Sequence, residues 1–423
     1  MITDTASAAP TTQRDLGSTI VVAGARHPVR WFLAERGLLA AAVGMLPVGL
    51  SFSLLDIYAR ASALGIVLAL QGVGLVVSLI VLGGVGDLIA PRRLLVLADA
   101  LYAASAAALA LLAQTHSHAL VAYGAASIVT GASAGLVNSA LQALLAAVVS
   151  PQDRQRVNGL RSLLRNLVQV AAPAFAGLVS AIASPTVVLW LAAIVAALGT
   201  LAARALPDTG AGAHHDAGLL AELRSGWRAY WAYGWLVAVD GAFALWHLVV
   251  YGPLFVLGPV VARAHDHGAL GWGLMLAGVS VGGVLGGALV VRLRPRRPLS
   301  FALIAFSVTS VWLGALWFEA PLPVLVVAAA IAGVGFELLM GLWDTVFQGT
   351  IPRSVLGKLA AYDYLASVGT LPLGYALAAP LAAIVGARGV FGLGVVITVA
   401  ITLGTLAVPS VRHLPSPALP IDE

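Results

Sequence analysis

The feature that most constrains this chain is a repeat of long apolar runs with matching punctuation. One run ends in GGVGDLIAPRR (Gly83 to Arg93), and about 200 residues later another ends in GGVLGGALVVRLRPRR (Gly282 to Arg297). Each falls between the second and third runs of its half. The runs that follow also correspond. SALQALLAAVVSP (Ser139 to Pro151) aligns with GLWDTVFQGTIP (Gly341 to Pro352), and NLVQVAAPAFAG (Asn166 to Gly177) with SVGTLPLGYALA (Ser367 to Ala378). Twelve runs are readable, at about 37–57, 61–86, 94–113, 119–148, 159–183, 186–206, 234–260, 269–291, 299–318, 321–347, 356–384 and 389–409. A membrane-spanning helix needs roughly 20 mostly apolar residues, and each run meets that length. Runs of this length without alternation are helices and not barrel strands. Two six-run halves with shared punctuation imply two pseudo-symmetric bundles with a path between them.

The expected fold is therefore an all-α polytopic membrane protein of twelve transmembrane helices. Its parts are an N-terminal tail (1–36), a first six-helix bundle (37–206), a linker (207–233), a second bundle (234–409) and a C-terminal tail (410–423). Only 10% of residues are charged and 60% are hydrophobic, against about 25% charged in a soluble domain, so most of the surface must face lipid. Of the 23 Lys and Arg, all but Arg60, Arg263 and Arg388 fall on one side if the N-terminus is cytoplasmic. That asymmetry predicts both termini inside a plasma (inner) membrane. The net charge of +5 then reports topology and contact with anionic lipid, not nucleic-acid binding, because no basic run is interleaved with stacking aromatics. The chain has no cysteine, which excludes disulfides, thiolate metal sites and cysteine nucleophiles. The long first run with no cleavage site reads as an anchored helix. The tails are expected to be disordered. In the linker, Leu220, Leu223, Trp227 and Trp231 recur at helical spacing, as in an amphipathic helix lying at the inner membrane surface.

The segment Gly83 to Arg93 resembles the loop 2–3 signature of the major facilitator superfamily: Gly, any, Leu, Ala, Asp, Arg, any, Gly, Arg, then a basic residue. Gly83, Asp87 and Arg92 match it, while Leu88, Ala90 and Pro91 depart from it. SPQDRQRVNGLRSLLRN followed by PAFAG is similar to the enterobactin-exporter and macrolide-efflux branch of that superfamily. LWDTVFQGTIP followed by LPLGYALAAPLA is similar to it too. The resemblance covers nearly the whole chain and implies the major facilitator fold. It also implies a gate on one membrane face that includes Gly83, Asp87, Arg92 and Arg93, with Asp87 meeting the N-terminal end of span eleven. The family's antiporter signature survives only as Ala172-Pro173 and Ala176-Gly177, and span four lacks the arginine of many proton-coupled exporters. Coupling residues must therefore be argued from this chain.

A charge near the bilayer centre is costly, so it should face the bundle interior. Span ten carries Glu337 and Asp344, seven residues apart on one face with Met340 and Gly341 between them. Span seven carries Asp240, Phe243, His247 and Tyr251 on one face. Glu337, Asp240 and Asp344 are the candidates for proton coupling; the alternative for each is a fixed salt bridge or backbone hydrogen bonds. His247 is either a proton relay or a neutral side chain bonded to a neighbouring helix. Asn138 and Gln142 in span four are either a polar substrate contact or an interhelical hydrogen-bond pair. With Phe243, Trp246, His247, Met340 and Trp343 they make up the candidate substrate cavity. Trp312 and Tyr375 either line that cavity or pack. Asp99 is expected to pair with Arg161 or Arg165 in the cytoplasmic gate. Asp56 reads as a solvated end or a partner of Arg60. Gly252, Pro253, Gly258 and Pro259 predict a bend in span seven.

These readings point to a secondary exporter of amphipathic organic molecules, such as an antibiotic, toxic metabolite or siderophore, driven by proton exchange. The alternatives are a lipid or lysolipid transporter or metabolite importer on the same fold, and a non-transporting membrane sensor or scaffold. No Ser/His/Asp or metal constellation and no phosphate-binding loop is present, so neither an enzyme nor an ATP-driven pump is expected. No cofactor is expected. The expected partners are a small-molecule substrate, protons and membrane lipids, with no nucleic acid, and the expected state is a monomer.

Overall fold

A computed structural model describes residues 26–85, 89–148, 154–208 and 219–414. All regular structure among the described residues is helical. The first half comprises α1 (Arg26–Tyr58), α2 (Ala61–Val85), α3 (Pro91–Gln114), α4 (Leu120–Val148), α5 (Arg154–Ile182) and α6 (Pro185–Arg204). Helix α7 (Leu219–Ala232) belongs to the linker. The second half comprises α8 (Gly234–Trp246), α9 (Gly252–Ala264), α10 (Gly268–Arg292), α11 (Pro298–Ser307), α12 (Ser310–Trp317), α13 (Leu322–Thr350), α14 (Arg353–Val368), α15 (Leu371–Ala407) and the short α16 (Pro409–Arg412).

Prolines start several of these helices. Pro91, Pro185 and Pro298 occupy the first position of α3, α6 and α11, where a missing N–H costs nothing. Ser184 also caps α6 by accepting a hydrogen bond from the Val187 N–H at 3.3 Å. Among the described residues, length and composition mark eleven membrane-crossing stretches, the last being Val355–Ala407. Within it Gly386 adopts φ 74° and ψ 157°, a region open only to glycine. The chain reverses there, so the stretch holds two crossings and the total is twelve. An even number puts Arg26 and Leu414 at the same end of the bundle, called the terminal end below.

The repeat is visible in the backbone. At the opposite end, α1 and α2 are joined through Ala59 (φ 50°), and α9 and α10 through Asp266 (φ 56°). Likewise α3 and α4 are joined through His116 (φ 47°), and α12 and α13 through Glu319 (φ 51°). Tight reversals at equivalent places thus use the same left-handed closing residue, at a cost of order 1 kcal/mol or more each for a non-glycine side chain. Packing repeats as well. Helix α2 lies on α4 as α10 lies on α13. A Cβ built on Gly131 would stand 1.8 Å from the Gln71 carbonyl oxygen, and one on Gly333 would stand 2.0 Å from that of Val279. The absence of a side chain is what lets each pair of backbones touch. The two halves meet along α2 with α15 and along α5 with α10. Val121, Ile182, Val291 and Ile384 are largely exposed, as apolar side chains facing hydrocarbon are.

Three boundaries differ from the sequence reading. Helix α1 starts at Arg26 instead of 37, because Phe32 is fully buried against Leu94, Leu95 and Leu206 and extends the helix below the apolar run. The ninth span is broken into α11 and α12 at Val308–Thr309. In the seventh span the expected bend appears as a π-helical turn, His247–Tyr251, just before Pro253. Pro253 has no N–H to donate, and the ladder widens so that the Gly252 N–H reaches the His247 carbonyl.

Candidate functional site

A cavity of about 840 Å³ lies between the two halves, lined from α1, α3, α4, α5, α8, α9, α10, α12, α13 and the π turn of the seventh span. Its volume is that of a site for a drug-sized molecule. The part away from the terminal end is aromatic, built by Trp246, Tyr251, Phe255, Trp312 and Phe336. These rings are held by their own neighbours. The Trp246 indole N–H donates to Thr398 Oγ1 at 3.2 Å. Trp312 stacks on the buried Trp272, with ring centroids 5.9 Å apart. Toward the terminal end the lining turns polar, with Arg36, Arg161, Arg165, Asn166 and Gln169.

Glu337 is the one carboxylate that lines this cavity among the described residues. It fits because α10 presents glycines to it. Positions for a Cβ on Gly283 and Gly287 fall 3.9 Å and 3.8 Å from Glu337 atoms, and on Gly286 only 2.9 Å from its Cβ. Any larger residue at Gly286 would displace it. Arg165, from the other half of the molecule, is within electrostatic range of Glu337, and no direct ion pair joins Glu337 to any described residue. Sequence reading missed this neighbour because it is distant in the chain and belongs to the opposite bundle.

The other two acidic candidates are placed elsewhere. Asp344 is exposed and is not part of the lining. Two further helical turns toward the terminal end carry it past the cavity. Asp240 is fully buried, also outside the lining, and accepts a hydrogen bond from the Tyr230 hydroxyl of α7 at 2.8 Å. Asp363 of α14, which the sequence reading did not single out, lies within hydrogen-bonding reach of both Asp240 and Trp343. Two carboxyl groups can hydrogen-bond only if one carries a proton. The group therefore fastens the linker helix to the second bundle. Burial, and then the Asp240 charge, push the Tyr230 hydroxyl's pKa up, so it stays a donor.

Of the remaining cavity candidates, Trp246 lines the space. Phe243 is buried in an aromatic group with Trp246 and Phe306. His247 bonds through Nδ1 to the Phe243 carbonyl at 2.9 Å. Trp343 packs edge-on against Trp235, with centroids 5.5 Å apart. Phe243, His247, Met340 and Trp343 are not in the lining, because they lie on faces of the seventh and tenth spans that pack within their own bundle. Tyr375 sits at the contact between α2 and α15, where its carbonyl leaves no room for a Cβ on Gly65. The Asn138 and Gln142 side chains and Asp87 lie outside the described residues, and Gly83 is described only as backbone of α2.

Among the gate candidates, Arg92 donates to the Arg204 carbonyl at 2.5 Å and Arg93 approaches Asp208 at 3.6 Å. Both tie α3 to the end of α6 within one half. Asp99 is fully buried, and its charged neighbours are Glu35 and Arg36 instead of Arg161 or Arg165. Glu35 in turn forms an ion pair with Arg36. The extension of α1 below its apolar run brings this pair to Asp99, which sequence spacing does not reveal. Asp56 pairs not with Arg60 but with Arg263, at 2.7 Å. That contact bridges the halves at the end opposite the termini, where Gly177 also lies against the Ala269 carbonyl too closely for a Cβ.

Comparison with known proteins agrees with this architecture. The family model described as Major Facilitator Superfamily matches residues 36–286. The multidrug efflux pump Tap of Mycobacterium tuberculosis is 28% identical over 403 residues, spanning 92% of this chain and 95% of that protein. The multidrug efflux pump Tap of Mycolicibacterium fortuitum is 26% identical over 330 residues, spanning 75% of this chain and 80% of that protein. A crystal structure of a variant of the nucleoside transporter NupG superposes with a TM-score of 0.72 at 12% identity, covering 90% of this chain and 99% of that one. At that identity the likeness is one of fold.

Proposed function

The chain belongs to the Major Facilitator Superfamily, and on that premise we propose that it exports amphipathic small organic molecules across the plasma membrane in exchange for protons. The observation that carries this reading is the interfacial cavity, aromatic at one end, whose one lining carboxylate among the described residues stands near an arginine of the other half. An apolar, aromatic wall suits bulky cargo with few hydrogen-bonding groups. The likeness to multidrug efflux pumps over most of the chain supports an outward direction. With the arginine-rich terminal end in the cytoplasm, the cavity faces the cytoplasm and the Asp56–Arg263 end is the closed outer gate.

Coupling follows from where Glu337 and Arg165 sit. An ionised Glu337 attracts Arg165 across the boundary between the halves and so favours one arrangement of them. A proton on Glu337 removes that attraction and shifts the balance. Cargo entering the same cavity competes with that proton for one space. Substrate and proton then exchange without a separate coupling device. Asp240 and Asp344, away from the cavity, do not take part in this scheme, and Asp240 serves to hold the linker.

The test is a susceptibility panel of antibiotics and dyes of differing charge, run in a pump-deficient bacterium expressing the wild type or Glu337→Gln. Wild type should lower accumulation of a subset of amphipathic compounds, and the variant should lose most of that effect at equal expression. Unchanged accumulation of every compound with wild type would reject export.

A further inference from the structure

The charges along the cavity do not cancel. Arg36 is paired with Glu35. Arg165 has Glu337 within electrostatic range. Among the described residues Arg161 has neither, and its charged neighbours there are two more guanidiniums, Arg165 and Arg36. Its Nη1 is buried and has no acceptor among the described residues, yet the side chain lines the cavity. A buried N–H of a charged group without an acceptor is costly. Two like charges beside it increase that cost. An anchor that only obeyed the topology rule would turn to water or to headgroups, as Arg292 and Arg294 do on the exposed surface.

We propose that Arg161, with Arg165 beside it, takes the oxyanion of an amphipathic cargo whose apolar body lies among Trp246, Phe255 and Trp312. The class is a carboxylate, sulfonate or phosphate ester carried on an apolar or aromatic body. A planar guanidinium binds such groups through parallel N–H donors. The distribution of polarity sets the orientation, with the anionic head toward the terminal end and the body toward the aromatic wall. This inference rests on the reading of the cavity as the transport site.

A matched pair of probes separates the two claims. Pyrenebutyrate and pyrenebutanol share a body and differ in charge, and tryptophan-to-pyrene energy transfer reports their binding to the purified full-length chain in a neutral detergent. Wild type should bind pyrenebutyrate about tenfold more tightly than pyrenebutanol, the low end for a hydrogen bond to a charged group. Arg161→Gln should remove that preference while leaving pyrenebutanol binding unchanged, which also shows that the variant is folded. Arg161→Lys should restore part of it. Equal affinity of wild type for the two probes, or equal loss of both in Arg161→Gln, would overturn the anion site and leave the cavity reading intact. No transfer from either probe would remove the cavity as a binding site, and the proposed function with it. Titrated phosphatidylglycerol that displaces pyrenebutyrate from wild type, but not from Arg161→Gln, would support the site and make a lipid headgroup its oxyanion. Selective binding without displacement would support it with a soluble organic anion.

Discussion

Neutralising Asp56 should loosen the end of the molecule opposite the termini. Asp56 at the end of α1 and Arg263 at the end of α9 form the ion pair that bridges the halves there, at 2.7 Å. Their side chains are 47% and 46% exposed, so the contact is screened by water and salt. An exposed pair is worth about 0.2–1 kcal/mol, and the lower half of that range applies after screening. In a two-state balance between closed and open ends, about 0.2–0.6 kcal/mol changes the population ratio by roughly 1.4- to 2.8-fold. The chain lacks cysteine, so Ala119→Cys and Ala264→Cys place spin labels directly on exposed positions of the two halves. Pulsed electron resonance should show the long-distance fraction rising by that factor in Asp56→Asn. The rise should shrink as salt increases, since the wild-type pair is itself weakened. Exchanging the charges, Asp56→Arg with Arg263→Asp, should return the distribution toward wild type. An unchanged distribution in Asp56→Asn, or no recovery in the exchanged pair, would refute the reasoning.

Gly131→Leu should destabilise the fold by more than the usual 1–3 kcal/mol of overpacking, because even a Cβ would stand 1.8 Å from a backbone oxygen. Thermal unfolding in detergent would read this against Gly404→Ala, where nothing lies within 4 Å and helix propensity predicts a gain of roughly 0.4–1 kcal/mol. Tyr230→Phe leaves the buried Asp240 carboxyl short of a donor, at a cost of about 1–3 kcal/mol, and hydrogen exchange in α7 should rise. In wild type that tether should persist at pH 10. The folded pKa of Tyr230 is raised, so its contribution is complete below the unfolded value of about 10 and is lost only as pH climbs through the folded value. Loss of α7 protection between pH 8 and 10 would contradict this. Asp363→Asn should keep the link to Asp240, since an amide can take either side of that hydrogen bond, whereas Asp363→Ala should weaken it; the same exchange measurement distinguishes the two.

The fold was legible because its signals are local or periodic. Run lengths showed the crossings, and the repeated Gly83–Arg93 and Gly282–Arg297 segments showed the duplication. Gly131 and Gly333 occupy equivalent positions, but which backbone they admit depends on the packing of α2 and α10. The site was less legible for the same physical reason. Glu337 was found because a carboxylate in a long apolar run stands out alone. Its neighbour Arg165 and the unmatched Arg161 sit in a stretch that reads as ordinary basic flank, and only the packing of α5 on α10 brings them to the cavity. Asp240 also stood out, but its partners Tyr230 and Asp363 come from the linker and from the eleventh span. Periodicity places Phe243 and His247 on one face with Asp240 and cannot say that the face points into its own bundle. Phe32 and Glu35 precede the apolar run, so their burial in a helix beginning at Arg26 depended on tertiary contacts with α3 and α6.

The most direct test of the central claim is proton-driven transport in everted membrane vesicles, with the panel compound that wild type excludes most strongly as cargo. An imposed pH gradient, acid inside, should drive wild-type vesicles to accumulate that compound, with a matching release of protons when it is added. Vesicles carrying Glu337→Gln should bind the compound yet neither concentrate it nor release protons. Accumulation at the wild-type rate by Glu337→Gln would contradict the account by removing the cavity carboxylate from coupling.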